Sequence, residues 1–284
     1  YTIVCLSEES YYLISAGAWT EYDSDYLHKS LADSKFDSVN IYDCTSQWGV
    51  FSIAGPNSRS FLKKIVVSED PDKTLSNKEF PWLSYRDIEI GMCPVRALRV
   101  AYTGELGWEL HHPIEMQNYL LDILLSSGKE FNLKLVGARA QNWLRQEKSY
   151  KAFGSDLGRD AGPFESKLSR FVDIKKNFLG KDALLKRKTD VSCVTLLIDG
   201  PKDIDPWGRE ALYNETEEVM LGRLTSAGYS VHFKRSIGIG YVKSSFSEVG
   251  TKLRIKIDDA FWNAEIVRDS PYDPQNERII DRAQ

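Results

Sequence analysis

The sequence is poor in the residues that most often announce a chemical site, with four cysteines and four histidines spread over 284 residues. Cys5, Cys44, Cys93 and Cys193 form no C-x-x-C pair, so no zinc-ligand set or redox dithiol is encoded at close spacing. So few cysteines in a long chain also argue against a disulfide framework and fit a reducing compartment. His111 and His112 are adjacent and would point to opposite faces of a strand, which excludes a two-histidine clamp and leaves a structural or surface role. No apolar run approaches the roughly 18 residues of a transmembrane helix. With 37 Lys plus Arg against 41 Asp plus Glu, a formal charge of −4 and no strong basic run, nucleic acid and anionic membranes are not expected partners. Gly238-Ile239-Gly240 lacks the third glycine and the following helix of a dinucleotide fingerprint. No G-x-x-x-x-G-K-[ST] run occurs either, so neither a flavin or nicotinamide Rossmann unit nor a P-loop is encoded. No secretory h-region or Arg-rich presequence opens the chain, and residue 1 is Tyr.

What is present is an ordinary globular composition, 42% hydrophobic and 12% aromatic. The length lies near the limit of a single core, which predicts one multi-lobed unit or two domains. Thr2 to Leu6 and Tyr11 to Ser15 read as a hairpin, followed by a helix from Asp23 with Tyr26, Leu27 and Leu31 on one face. Strands are predicted at Val39–Tyr42 and Val50–Ile53. Gly55-Pro56-Asn57-Ser58 then breaks the strand and caps a helix carrying Phe61, Leu62, Ile65 and Val66. Strands at Val95–Ala101 and Trp108–His112 flank a glycine-containing turn. Pro113 opens a helix with Met116, Tyr119, Leu120, Ile123 and Leu124 at helical spacing, stopped near Gly128. A further helix covers Ala138 to Lys148. Beyond Lys188 five strand-like runs follow without a convincing helix, as in a small barrel or sandwich. The expected division is therefore 1–188, α+β with ferredoxin-like character, and 189–284, a β-domain.

Four features stand out. Glu109, between Trp108 and Leu110, is either a solvated strand position or a buried carboxylate that needs charged or multiple N–H partners. Tyr102, just before the turn, offers a flat stacking surface or a half-buried strand side chain. Arg145 and Glu147 are two apart, so they cannot pair along a helix; they belong to a packed polar junction or to an exposed face. Gly222–Gly228 (GRLTSAG) reads as a strand-to-turn segment or as a backbone N–H cradle. None of these is a self-announcing catalytic centre.

Four segments together resemble the aminomethyltransferase, or glycine-cleavage T-protein, folate-binding superfamily. They are Arg99-Val-Ala-Tyr-Thr-Gly-Glu-Leu-Gly-Trp-Glu-Leu110, Leu144-Arg-Gln-Glu-Lys-Ser-Tyr150, Ala152-Phe-Gly-Ser-Asp-Leu157 and Phe178-Leu-Gly-Lys-Asp-Ala-Leu184. Within the superfamily, Glu147–Gly154 and the tail Asp269-Ser-Pro-Tyr-Asp-Pro274 are similar to the C-terminal half of FAD-dependent dimethylglycine or sarcosine dehydrogenases. The resemblance implies an α+β cloverleaf of three lobes, two of them ferredoxin-like and the third a C-terminal β-barrel. It also implies tetrahydrofolate as cofactor, with Glu109 accepting hydrogen bonds from the pterin, Tyr102 and Tyr150 lining the folate, and Tyr85 and Trp82 contributing from the preceding loop. The family's arginine falls here on Gln141, which leaves Arg139 or Arg145 to meet an anionic glutamate tail.

By the same resemblance the family's acidic catalytic residue, first strand and helix fall before Tyr1, so the catalytic group is unassigned and the folate module reads as incomplete at its N-terminus. FAD would belong to an upstream domain or a partner. The implied reaction is capture of one carbon from an N-methylated amino acid to give 5,10-methylenetetrahydrofolate, in the cytoplasm or, in a eukaryote, the mitochondrial matrix. The alternatives are a non-catalytic regulatory or interaction subunit of the same fold and a folate-dependent demethylase of another methylated substrate. The iron–sulfur-related branch is disfavoured, because Lys176-Asn-Phe-Leu-Gly-Lys181 lacks its cysteine. No metal site is expected.

Overall fold

The computed structural model describes residues 2–36, 38–200 and 204–281, so Tyr1, on which the expected N-terminal incompleteness rests, lies outside the described residues. These residues form two compact units. The first takes the described residues up to Ile53, with Asn57–Val100 and Gly107–Leu133; the second takes Ala54–Pro56, Ala101–Leu106 and the described residues from Lys134 onward.

The first unit opens with the antiparallel hairpin β1 (Thr2–Ser7) and β2 (Ser10–Ile14), then α1 (Thr20–Ala32). β3 (Trp48–Ala54), α2 (Ser58–Ile65), α3 (Pro71–Thr74), β4 (Tyr85–Ile90), β5 (Cys93–Leu98), β6 (Gly107–Pro113) and α4 (Gln117–Gly128) follow. The four strands form one sheet in the order β3-β6-β5-β4. Alternation sets its two faces. Ile53, Ile88, Ile90, Val95, Ala97, Trp108 and Leu110 are buried, together with Phe61 and Leu62 of α2 and Leu120 and Leu124 of α4. Residues of the opposite parity, including Trp48, Tyr85, Asp87, Arg96 and Glu109, are half-buried or exposed. Trp108, fully buried, carries the guanidinium of Arg59 at 5.6 Å from its ring centroid and that of Arg99 at 5.8 Å. Two cations against one indole are satisfied because each also reaches a carbonyl, Leu75 for Arg59 and Phe80 for Arg99.

The second unit contains α5 (Ala138–Glu147), α6 (Lys181–Lys186), β7 (Val191–Ile198), β8 (Ala211–Tyr213), β9 (Met220–Ser230), β10 (Arg235–Lys243), β11 (Lys252–Ile257), β12 (Ala260–Val267) and α7 (Glu277–Ile280). The six strands close into a barrel in the order β10-β7-β12-β11-β8-β9. Its core is Val194, Leu196, Ile198, Leu212, Leu224, Val242, Leu253, Ile255 and Ile266, with Ile204 and Trp262 packed against it. The fold is thus α+β with a closed β-barrel in its C-terminal part. By packing, residues 134–188 associate with the barrel, although the expected division at 188 groups them with the preceding lobes.

Several local expectations require correction. Val39–Tyr42 is not a strand; Val39 and Tyr42 are 50% and 80% exposed, and β-prone residues without a partner edge do not form a ladder. Tyr85 opens β4 rather than lying in a loop, and its charged neighbours Arg86, Asp87 and Glu89 mask the strand signal. β8 has three residues, too few for any period to show. The helix after Pro113 begins with a 3-10 turn, Ile114–Met116, before α4. Gly222–Gly228 is strand throughout, as its first part was expected to be: it forms the middle of β9, which runs on through the position of the expected turn, and the register against β10 shifts at Thr225. Gly222 is required there, because a Cβ would stand 1.9 Å from the carbonyl oxygen of Tyr241.

Candidate functional site

In the first unit, Glu109 rises from β6 on the face opposite Trp108 and Leu110. Its side chain is 32% exposed, and its Oε2 lies 3.3 Å from Nε2 of His111, whose own side chain is 1% exposed. Residues two apart in a strand share a face, so this contact follows from local geometry. The other imidazole nitrogen, Nδ1, is 3.1 Å from the hydroxyl of Tyr12 in β2. Tyr12 meets the His111 ring edge-on, with centroids 5.6 Å apart, and tilts against Trp48 at 5.9 Å. Arg96, opposite His111 in β5, places its guanidinium 5.5 to 5.9 Å from the rings of Tyr12, Trp48 and Tyr85. Its charge is balanced by Asp87, 3.0 Å away. Burial pushes the Tyr12 phenol above its ordinary pKa, Arg96 opposes that shift, and Cys44 and Glu109 add to it. His112 points to the other face, stacked on Phe51 at 4.9 Å. The histidines therefore diverge as strand geometry requires, and both are buried.

In the second unit, Tyr102 and Tyr150 stack with centroids 6.0 Å apart and planes at 16°, and burial raises both phenol pKa values. The framework beneath them is polar. Arg145, ending α5, pairs with Asp156 and also donates to the Tyr150 carbonyl (2.8 Å), Ser226 (2.6 Å) and Asn142 (2.8 Å). Asp156 accepts from the amide of Ala152 (2.9 Å), from Thr225 (2.5 Å) and from Ser226 (2.6 Å). Glu147 accepts from Ser230 and from the backbone amide of His232. Lys148 is fully buried and donates to the Asp273 carbonyl (2.6 Å) and to Asn276 (2.8 Å). Burial lowers its pKa, and Asp273 and Glu105 oppose that shift. Ser149 accepts from the amide of Ser270 at 2.8 Å. Tyr272 donates to Glu105, and burial followed by Glu105 raises its phenol pKa.

The sequence-based candidates thus divide by accessibility. Glu109 is partly open, Tyr102 and Tyr150 form one stacked pair, and Gln141 is exposed. Arg139 is exposed, ion-paired with Asp205 and laid over Trp143 and Trp207 at 5.4 and 5.5 Å. Arg145 is buried, with its donors taken by Asp156, Ser226, Asn142 and the Tyr150 carbonyl, so it is a framework residue. Sequence reasoning missed His111, Tyr12 and Arg96 as neighbours of Glu109. The i, i+2 spacing could have supplied His111, whereas Tyr12 is 99 residues away. Among the described residues no cluster of three or more His, Cys, Asp or Glu could hold a metal, and no helix is long and apolar enough to cross a membrane.

Comparison with known proteins fits this architecture. Residues 1–176 match the GCVT N-terminal domain, and residues 192–273 match the glycine cleavage T-protein C-terminal barrel domain. The chain is 33% identical over 279 residues to the mitochondrial dimethylglycine dehydrogenase of Mus musculus, covering 95% of this chain and 31% of that protein. Mitochondrial sarcosine dehydrogenase of the same species is 28% identical over 95% of this chain and 30% of its own length. The aminomethyltransferase of Caldanaerobacter subterraneus is 28% identical over 92% of this chain and 67% of its own. The chain therefore spans about a third of the length of the dehydrogenases it matches. The crystal structure of the glycine cleavage system aminomethyltransferase T from Bartonella henselae superposes with a TM-score of 0.77, at 19% identity, over 96% of this chain and 71% of that one; at that identity it speaks for the fold. With one family model covering its first 176 residues and the companion barrel model most of the remainder, the chain belongs to the glycine cleavage T-protein (GCVT) family, as an aminomethyltransferase-type region homologous to the C-terminal part of dimethylglycine and sarcosine dehydrogenases.

Proposed function

We propose that this chain is a tetrahydrofolate-dependent one-carbon transfer module. It captures the carbon from an N-methylated amino acid of the dimethylglycine or sarcosine type to give 5,10-methylenetetrahydrofolate, within a larger FAD-dependent dehydrogenase. The observation that carries this reading is Glu109, a carboxylate on a half-buried face of a sheet with its partner His111 beside it and a third of its surface open. A carboxylate offers only acceptors, so it suits the ring N–H and exocyclic amine of a pterin. Two parallel tyrosines, Tyr102 and Tyr150, supply flat apolar surface with little rotamer entropy to lose. With Arg145 committed to Asp156, Arg139 and Gln141 are the candidates exposed enough to meet the anionic glutamate tail.

When bound, tetrahydrofolate would supply the two nitrogens that accept the carbon. The protein's part is to orient that ligand, which converts an encounter into a local step. The flavin belongs, in this reading, to a domain or partner outside these residues, as the lengths of the related dehydrogenases suggest. Anaerobic titration calorimetry with tetrahydrofolate tests the assignment. Losing a charged hydrogen bond in Glu109→Ala should weaken binding by about 1.5–3 kcal/mol. An unchanged dissociation constant in that variant, or no binding by the unaltered chain, would sink it.

A further inference from the structure

The reading above assigns Glu109 a ligand; the structure also shows a side-chain chain leading away from it. A carboxylate oxygen cannot donate, so the 3.3 Å contact of Glu109 Oε2 requires a proton on Nε2 of His111. In the neutral ring Nδ1 is then an acceptor, and the hydroxyl 3.1 Å from it, Tyr12, must donate. The protons therefore run one way: Tyr12 O–H to Nδ1, and Nε2–H to Glu109. The ring that links them is buried, and the edge-on packing of Tyr12 fixes its plane. The charged groups facing this chain are Arg96, which lies over the Tyr12 ring, and Asp87, which pairs with Arg96. No other hydrogen bond from the described residues reaches the Glu109 carboxylate.

We propose that His111 and Tyr12 are positioning residues: by donating to Nδ1, Tyr12 reinforces the Nε2–H tautomer of His111, and that N–H holds Oε2 of Glu109 so that Oε1 is presented to the ligand. The inference rests on the folate reading only for the identity of that ligand. A carboxylate on a flexible stem loses rotamer freedom when it binds, and fixing it beforehand removes part of that cost. An aliphatic strand residue at position 111 would fill the space without fixing the carboxylate, which separates positioning from packing.

The test uses the 284-residue chain. Long-range nitrogen–proton NMR correlation should find His111 with its proton on Nε2, and Tyr12→Phe, which removes only the hydroxyl and leaves the Glu109 contact, should measurably raise the share of the Nδ1–H tautomer. In calorimetry with tetrahydrofolate, Tyr12→Phe should weaken binding about fivefold and His111→Leu about tenfold, whereas His111→Gln, whose amide can donate to Glu109, should stay within about twofold of the unaltered chain. A proton on Nδ1 in the unaltered chain, or unchanged affinity in both Tyr12→Phe and His111→Leu, overturns the proposal. If the unaltered chain binds no folate, the folate reading fails, and the tautomer measurement on the unaltered and Tyr12→Phe chains decides this one by itself.

Discussion

Asp156→Asn is the sharpest probe of the framework that carries the second unit's tyrosines. The change is nearly isosteric, but it removes one charge from a pair in which the Arg145 and Asp156 side chains are 2% and 0% exposed. Arg145 would keep neutral acceptors at Asn142, Ser226 and the Tyr150 carbonyl, and would lose its counter-charge. Breaking a buried pair by removing one partner costs about 3–5 kcal/mol, because the remaining ion stays desolvated. Asp156 also accepts from Thr225, Ser226 and the Ala152 amide, and an asparagine can serve only part of that set, so the upper half of the range is expected. At about 2–4 °C per kcal/mol for a unit of this size, the thermal midpoint should fall by roughly 8–20 °C. Urea denaturation followed by circular dichroism measures the loss. Arg145→Met combined with Asp156→Asn should lose less than the sum of the single variants, since no unpaired charge remains. A loss below about 1 kcal/mol in Asp156→Asn, or strict additivity in the double variant, would refute the claim that this pair is both desolvated and coupled.

Three further outcomes follow from the packing. Gly222→Ala should destabilise the barrel by at least the ~1–3 kcal/mol of core overpacking, read from the same urea curves, because the obstructing atom is the Tyr241 carbonyl oxygen on the neighbouring strand. Burial raises the Tyr241 phenol pKa, and a phenol held protonated in the folded state contributes stability that is present below the unfolded value of about 10 and is lost as pH rises beyond it. Alkaline unfolding followed by tyrosinate absorbance should therefore be shallower in Tyr241→Phe. The thiol of Cys193 is buried and pushed up to about 11, while Cys5 is exposed. Iodoacetamide at about pH 8 should label Cys5 and spare Cys193 in a peptide-mapped digest.

Much of the molecule was legible in the residue order, and the exceptions have a common cause. Five of the six strands beyond residue 190, α4 and α5 were readable because their patterns are local: a continuous β-prone run in Val191–Ile198, helical spacing from Tyr119 to Leu124. Glu109 and the two tyrosines stood out because they lie in segments whose composition is unusual. β4 was hidden by its charges and β8 by its brevity, and Val39–Tyr42 had β-prone residues with no edge to pair with. The segment GRLTSAG suggested a strand running into a turn, yet its glycines serve close approach of neighbouring elements; at Gly228 a Cβ would meet the Trp143 indole of α5 at 2.1 Å.

Fold class, family and the single carboxylate on which the functional reading turns follow from residue order, because they depend on local periodicity and on the succession of motifs. What surrounds those residues is set by packing between distant segments. That packing committed Arg145 to Asp156, left Arg139 and Gln141 accessible, and brought Tyr12 across 99 residues to the ring beside Glu109. A side chain's neighbours across a sheet or barrel are set by strand pairing and packing, and nothing in the order of residues within either segment specifies them.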